Sequence, residues 1–193
     1  MSDKRVSIGP KRNPQSEAAI LDAATELLAE AGIAGLSMEA VARKARAGKA
    51  TLYRWWPSRG ALLLAVYQRQ KRADPHADTG TLEGDVTAFL RTLLAHWSRP
   101  EGQVFRHILA AAQGDADVAE ALATYRAARA GALRPMFERA AARGELAPGA
   151  PLAEMTSALI ALAWYCLLTD DLDTDPGRLA RVLVGGWTAP GTG

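Results

Sequence analysis

The chain has few of the residues that staple a fold or span a membrane. One cysteine, Cys166, stands among 193 residues, which excludes an intrachain disulfide and the usual cysteine-based zinc site. No run approaches the ~20 apolar residues that cross a bilayer; the longest extends from Ala158 to Leu168. No basic stretch followed by an apolar one opens the chain, so a cytoplasmic protein without a membrane partner is expected. Metal-ligand pairs are missing as well. None of His76, His96 and His107 has the glutamate three residues earlier that a helical di-metal oxidase needs. Tyr67 and Lys71 have the spacing of a dehydrogenase pair, yet no glycine-rich dinucleotide loop accompanies them. Gly48–Lys49 lacks the glycine that a phosphate loop would require at Arg43. Neither an enzyme nor a cofactor is expected.

What is present is an ordinary globular balance, 49% apolar and 23% charged. The net charge of +2 hides an asymmetry: residues 1–72 hold 13 Lys/Arg and 6 Asp/Glu, residues 73–193 hold 10 and 15. A basic end suits a polyanion, although chance solvation of helix surfaces would give the same count.

The apolar pattern is helical throughout. After a basic arm over 1–15, Ile20, Ala23, Ala24, Leu27, Leu28 and Ala31 form one stripe, capped by Ser16 and ended by Gly32. Ser37 starts a second helix, a short third fits between Gly48 and Pro57, and Ser58 starts a fourth that runs to Arg72. Beyond a turn-rich break, Leu82 to Trp97 makes a fifth helix, closed by Pro100, and Phe105 to Ala112 a sixth. A long seventh runs from Asp115 to Arg143, with Pro135 expected to kink or divide it. Pro151 opens the eighth; Asp175 and Pro176 open the ninth, which ends near Trp187. The expectation is an all-α chain of about nine helices: an N-terminal domain over 16–72 and a larger one over 73–193.

Helices two and three, joined tightly over about 37–57, have the proportions of a helix-turn-helix, whose second helix enters the major groove. Arg43, Lys44, Arg46, Lys49 and Arg54 supply cations there. The segment Ala24–Glu26–Leu27–Leu28, Gly32–Ile33, Leu36–Ser37, Val41–Ala42, Thr51–Leu52–Tyr53, Trp55–Trp56 and Ser58–Arg59–Gly60–Ala61–Leu62 resembles the N-terminal domain of TetR-family repressors, in a YRWWPS variant. Arg46 stands where that family usually has a turn glycine, Gly48 where it has a Ser/Thr cap, and Arg59 where it has lysine.

The resemblance implies a recognition helix over Lys49–Trp56. Lys49, Thr51 and Arg54 would reach base edges, Glu39 would stand at a position that sometimes reads a base, and Ser37, Tyr53 and Arg59 would hold phosphates. Arg46 and Trp55 complete the DNA-facing set, while Leu52 and Trp56 pack the core. It further implies a homodimer on a pseudopalindromic duplex operator, joined through the last two helices. Met155, Leu159, Leu162 and Cys166 on helix eight and Leu179 and Leu183 on helix nine are the interface candidates. Helix eight is apolar on nearly every face, as an interface or a central core helix would be. Helices four to eight would enclose a small, mainly apolar effector among Phe89, Trp97, Phe105, His107, Tyr125, Met136, Phe137 and Trp164; core filling explains such residues equally well. The implied function is a ligand-responsive repressor. A helical ligand-binding or architectural protein without operator preference is the alternative.

Overall fold

The computed structural model describes residues 13–70 and 77–187. The first twelve residues of the expected arm, His76 and the extension of helix four to Arg72 therefore lie outside the described residues. Nine helices and no extended strand occur within them: α1 (Pro14–Gly35), α2 (Met38–Lys44), α3 (Lys49–Trp55), α4 (Arg59–Gln70), α5 (Leu82–Trp97), α6 (Pro100–Ala111), α7 (Ala116–Ala142), α8 (Leu152–Leu168) and α9 (Pro176–Gly185). None is long and apolar enough to cross a membrane, and no group of His, Cys, Asp and Glu among the described residues could hold a metal ion. The chain divides into two compact units, the first ending at Val66 and the second starting at Tyr67.

In the first unit, α1 starts earlier than Ser16. Asn13 caps it by accepting from the Gln15 amide at 3.0 Å, with Pro14 at the first helical position, where its missing N–H costs nothing. Gly32 does break the helix, at φ 63°, but the chain resumes one more turn to Gly35. Ser37 caps α2 through the Ala40 amide at 3.1 Å, and Ser58 caps α4 through the Ala61 amide at 3.1 Å. Ile20, Ala24, Leu36, Val41, Leu52 and Trp56 are buried.

The turn between α2 and α3 is closed by two backbone bonds, Ala47 N to Ala42 O at 2.9 Å and Arg46 N to Arg43 O at 3.3 Å. That is the helix-ending pattern in which the residue between must be left-handed. Arg46 occupies it at φ 51°, a conformation that costs a side-chain-bearing residue about 1–2 kcal/mol. Glycine would relieve this but would add about 0.4–1 kcal/mol of unfolded-chain entropy. Arg46→Gly should therefore leave stability unchanged or raise it by up to about 1.6 kcal/mol, as read by urea denaturation. A clear loss would mean that the arginine side chain makes a contact stronger than the strain.

In the second unit, α5 is central: α9, α6, α7 and α8 all pack on it, α8 also lies along α7, and α6 meets α7. Leu82, Val86, Leu90, Phe105, Ile108, Leu133, Phe137, Leu159 and Leu167 fill the interior. Pro100 begins α6 as its first residue as well as following α5. Pro135 does not divide α7, which runs unbroken from Ala116 to Ala142. A proline costs the helix one hydrogen bond, here to the carbonyl of Gly131. Leu133, Met136, Phe137 and Ala140 around it are buried, and that packing holds the helix through the defect.

A charged cluster fixes the start of α5. Asp85 is fully buried; its Oδ1 accepts from the Thr79 amide at 2.6 Å and the Thr79 hydroxyl at 2.8 Å. Its Oδ2 faces Arg139 and Arg143 of α7 at 3.6 and 3.8 Å. Arg143 also pairs with Glu145, which accepts from the Leu82 amide at 2.6 Å.

Candidate nucleic-acid interface and effector cavity

Helix α3 buries one side and exposes the other. Leu52 and the following Trp56 point into the unit's core, while Lys49, Ala50, Tyr53 and Arg54 are exposed. The 3.6-residue period puts these four on one face, next to the exposed Arg43 and Arg46 of the preceding turn. Of the sequence-predicted contacts, Ser37, Glu39, Arg46, Lys49, Tyr53 and Arg54 are exposed, and Thr51, Trp55 and Arg59 are half-buried. Trp55 meets the edge of Trp56 at 5.8 Å. The Ser37 hydroxyl accepts the capping bond and retains its proton to donate outward.

Two lysines in this unit make ion pairs that have no signal in the sequence, because each pair joins residues on different helices. Lys44 is bound to Glu26 at 3.1 Å and Glu30 at 2.7 Å on α1, and these carboxylates hold its ammonium pKa above the usual value. Its charge braces α2 against α1, unlike the outward cations with which the sequence groups it. Lys49 pairs with Glu39 at 3.3 Å. A backbone hydrogen bond at the start of α2, followed by Lys49, holds the Glu39 carboxyl below the ordinary range. Two expected base readers thus hold each other in the free protein.

In the second unit, Phe89, Trp97, Tyr125 and Trp164 come together around a crevice between α5, α7 and α8, joined by Leu93, Ile160 and Ala163. Arg126 and Arg129 also line it, although the sequence reading gave the pocket no cations. The enclosed space is only about 10 Å³, on the order of one water. Four expected lining residues are elsewhere. Phe105 is fully buried beyond the lining, stacked on Tyr67 at 4.6 Å and Trp97 at 5.8 Å. Phe137 is core, edge-on to Trp187 at 5.9 Å, and Met136 is core as well. His107 is exposed on α6, because its neighbours Ile108 and Leu109 take the buried face. Trp97 Nε1 donates to Tyr67 Oη at 3.0 Å; burial, then nearby Tyr125, pushes the Tyr67 phenol pKa well above its ordinary value.

The interface candidates also divide. Met155, Leu159 and Cys166 are buried within their own chain, since α8 packs on both α7 and α5, and cannot face a partner. Burial, with the charge of Asp171, raises the Cys166 thiol pKa. Leu162, Leu179 and Leu183 are half-buried. The outward apolar residues are Tyr165, Leu168 and Val182, at 60%, 54% and 75% exposure. An all-round apolar helix does not reveal in sequence which side is core.

Comparison with known proteins bears on both units. The family described as "Bacterial regulatory proteins, tetR family" matches residues 20–66, and "Tetracyclin repressor-like, C-terminal domain" matches residues 76–184. The chain is 31% identical over 121 residues to the HTH-type transcriptional regulator YdeS of Bacillus subtilis, covering 62% of this chain and 60% of that protein. It is 42% identical over 73 residues to the HTH-type transcriptional regulator Mb1581 of Mycobacterium bovis, 36% of this chain and 35% of the other. The matches thus span less than two thirds of either relative. The crystal structure of the TetR family transcription regulator SCO0332 superposes with a TM-score of 0.65 at 31% identity, over 91% of this chain and 100% of that one. With a basic recognition-type helix in one unit, an aromatic crevice in the other and a match to each, the chain belongs to the TetR family of bacterial regulatory proteins.

Proposed function

We propose that this chain is a homodimeric, ligand-responsive repressor that reads a pseudopalindromic operator through α3 and is released by a small, mainly apolar molecule. The observation that carries the reading is the α3 face: Lys49, Tyr53 and Arg54 stand outward together on a helix anchored from behind by Leu52 and Trp56. Lys49 and Arg54 would donate to base edges, and Tyr53, Arg59 and the Ser37 hydroxyl would bind phosphates. Arg46, beside them, would add a backbone contact. α4 is the covalent link between the recognition unit and the crevice unit, and so the route by which an effector would move one recognition helix relative to the other. An effector shifts that equilibrium only by its differential affinity for the two states.

Selection from a random duplex pool tests this reading. The enriched sequence should contain two inverted half-sites, and wild type should bind it far more tightly than scrambled duplex at the same salt. A steep salt dependence without any enriched sequence would instead favour the architectural alternative.

The exposed apolar residues of α8 and α9 support the dimer. Burying Tyr165, Leu168 and Val182 against a second copy would remove large side chains from water, worth about 25 cal/mol per Å². Leu168→Glu should therefore convert the dimer to monomer in sedimentation equilibrium and abolish tight operator binding, with helicity retained. A variant that remains dimeric would move the interface off this face.

A further inference from the structure

Glu39 and Lys49 join the two helices of the turn on the outward side. Glu39 is the second residue of α2 and Lys49 the first of α3. The Lys49 ammonium donates to Glu39 Oε1 at 3.3 Å, with the two side chains 63% and 51% exposed. Gly48, just before Lys49, adds no bulk: a Cβ there would meet only Thr51 Oγ1, at 3.8 Å. The pair is therefore open to a partner.

Stability does not account for this pair, since an exposed ion pair contributes little to it. Attraction to phosphate does not account for Glu39, whose charge repels a polyanion. A backbone hydrogen bond and Lys49 keep its carboxyl pKa below the ordinary range, so it is ionised near neutral pH. An ionised carboxylate only accepts hydrogen bonds, and the bases offer just two donors in the major groove, cytosine N4 and adenine N6. Lys49 has the opposite need, for an acceptor.

One base pair supplies both. In G·C, guanine O6 and cytosine N4 are hydrogen-bonded neighbours about 2.9 Å apart, close to the spacing of Lys49 and Glu39. The base pair presents an acceptor beside a donor, and the protein presents a donor beside an acceptor. A·T also sets a donor beside an acceptor. There, however, adenine N7 would face the carboxylate and the thymine methyl would crowd the ammonium. In G·C, guanine N7 gives the ammonium a second acceptor instead.

We infer that Glu39 and Lys49 read one G·C base pair in each half-site as a unit. Lys49 donates to guanine O6 and N7, and Glu39 accepts from cytosine N4. The inference rests on the operator reading above and adds the identity of one base pair. Lys49 shares the carboxylate on the DNA rather than leaving it, and α2 contributes a base contact beside those of α3.

The test uses the full chain as wild type, Glu39→Gln and Lys49→Met. Each is titrated on the duplex that wild type selects and on every symmetric base-pair variant of it. At one position per half-site wild type should prefer G·C over A·T by about tenfold or more, the scale of a mismatched pair. Each substitution should cut that preference by about threefold or more, at that same position and at no other, while the melt stays cooperative. Inosine in place of the guanine keeps O6 and N7 and should bind like guanine. Preferences altered at two different positions would make the residues separate readers and overturn the proposal. So would a shared position that prefers A·T, or a loss on the inosine duplex as large as that on A·T. An enriched palindrome whose preferences neither substitution alters overturns this inference and leaves the operator reading standing. A pool from which wild type enriches no sequence overturns both.

Discussion

Alanine at Asp85 should destabilise the second unit by about 3–5 kcal/mol, the scale for breaking a buried ion pair from one side. The carboxylate is fully enclosed and accepts two hydrogen bonds from Thr79. It also balances Arg139 and Arg143, which stand 3.6 and 3.8 Å from its other oxygen. Removing it leaves the Thr79 amide without its acceptor and two guanidiniums without their buried counter-charge. Thr79→Val, which deletes one hydrogen bond to the same carboxylate, should lose about 1.5–3 kcal/mol. Chemical denaturation followed by circular dichroism measures both. A loss below about 1 kcal/mol for Asp85→Ala would mean that water reaches this group in the native state.

Alanine at Lys49 or at Arg54 should each weaken operator binding by about 1–3 kcal/mol, while binding to scrambled duplex changes much less. The two positions differ in one respect. Arg54 is exposed with no carboxylate partner within ion-pair distance among the described residues, whereas Lys49 is held by Glu39 at 3.3 Å. Lys49 would have to leave or share that carboxylate to reach a base, so Glu39→Gln should raise non-specific affinity and relax discrimination at the base pair that Lys49 would touch. Tyr53→Phe and Arg59→Ala should weaken all duplexes alike. Equal losses of specific and non-specific affinity for Lys49→Ala would reduce it to a backbone contact.

The helices themselves were legible in the sequence because local signals repeat within each: Ser37 and Ser58 as caps, Asp175–Pro176 as a helix start, and apolar residues at three- and four-residue spacing. Leu52 and Trp56 were readable as core for the same reason. Errors arose where a local rule met a tertiary one. Pro135 reads as a kink or a division, and the division does not occur: its neighbours Leu133, Met136 and Phe137 are buried and α7 stays continuous. Met155, Leu159 and Cys166 read as an interface, but an apolar helix gives no clue to which side meets its own chain. The pairs Lys44–Glu30, Lys49–Glu39 and Asp85–Arg139 join residues 14, 10 and 54 positions apart, beyond the reach of any spacing rule. Arg126 and Arg129 look like an ordinary solvated face of a long helix until α5 and α8 are placed beside them.

Two copies of α3 are expected to read one operator with twofold symmetry. Hydroxyl-radical footprinting on the duplex enriched by selection tests it most directly. Two equivalent protected patches are expected on one face of the DNA, centred about one helical turn or a small multiple of it apart. Both should fade together in Arg54→Ala. A single patch, or even protection along the whole duplex, would contradict it.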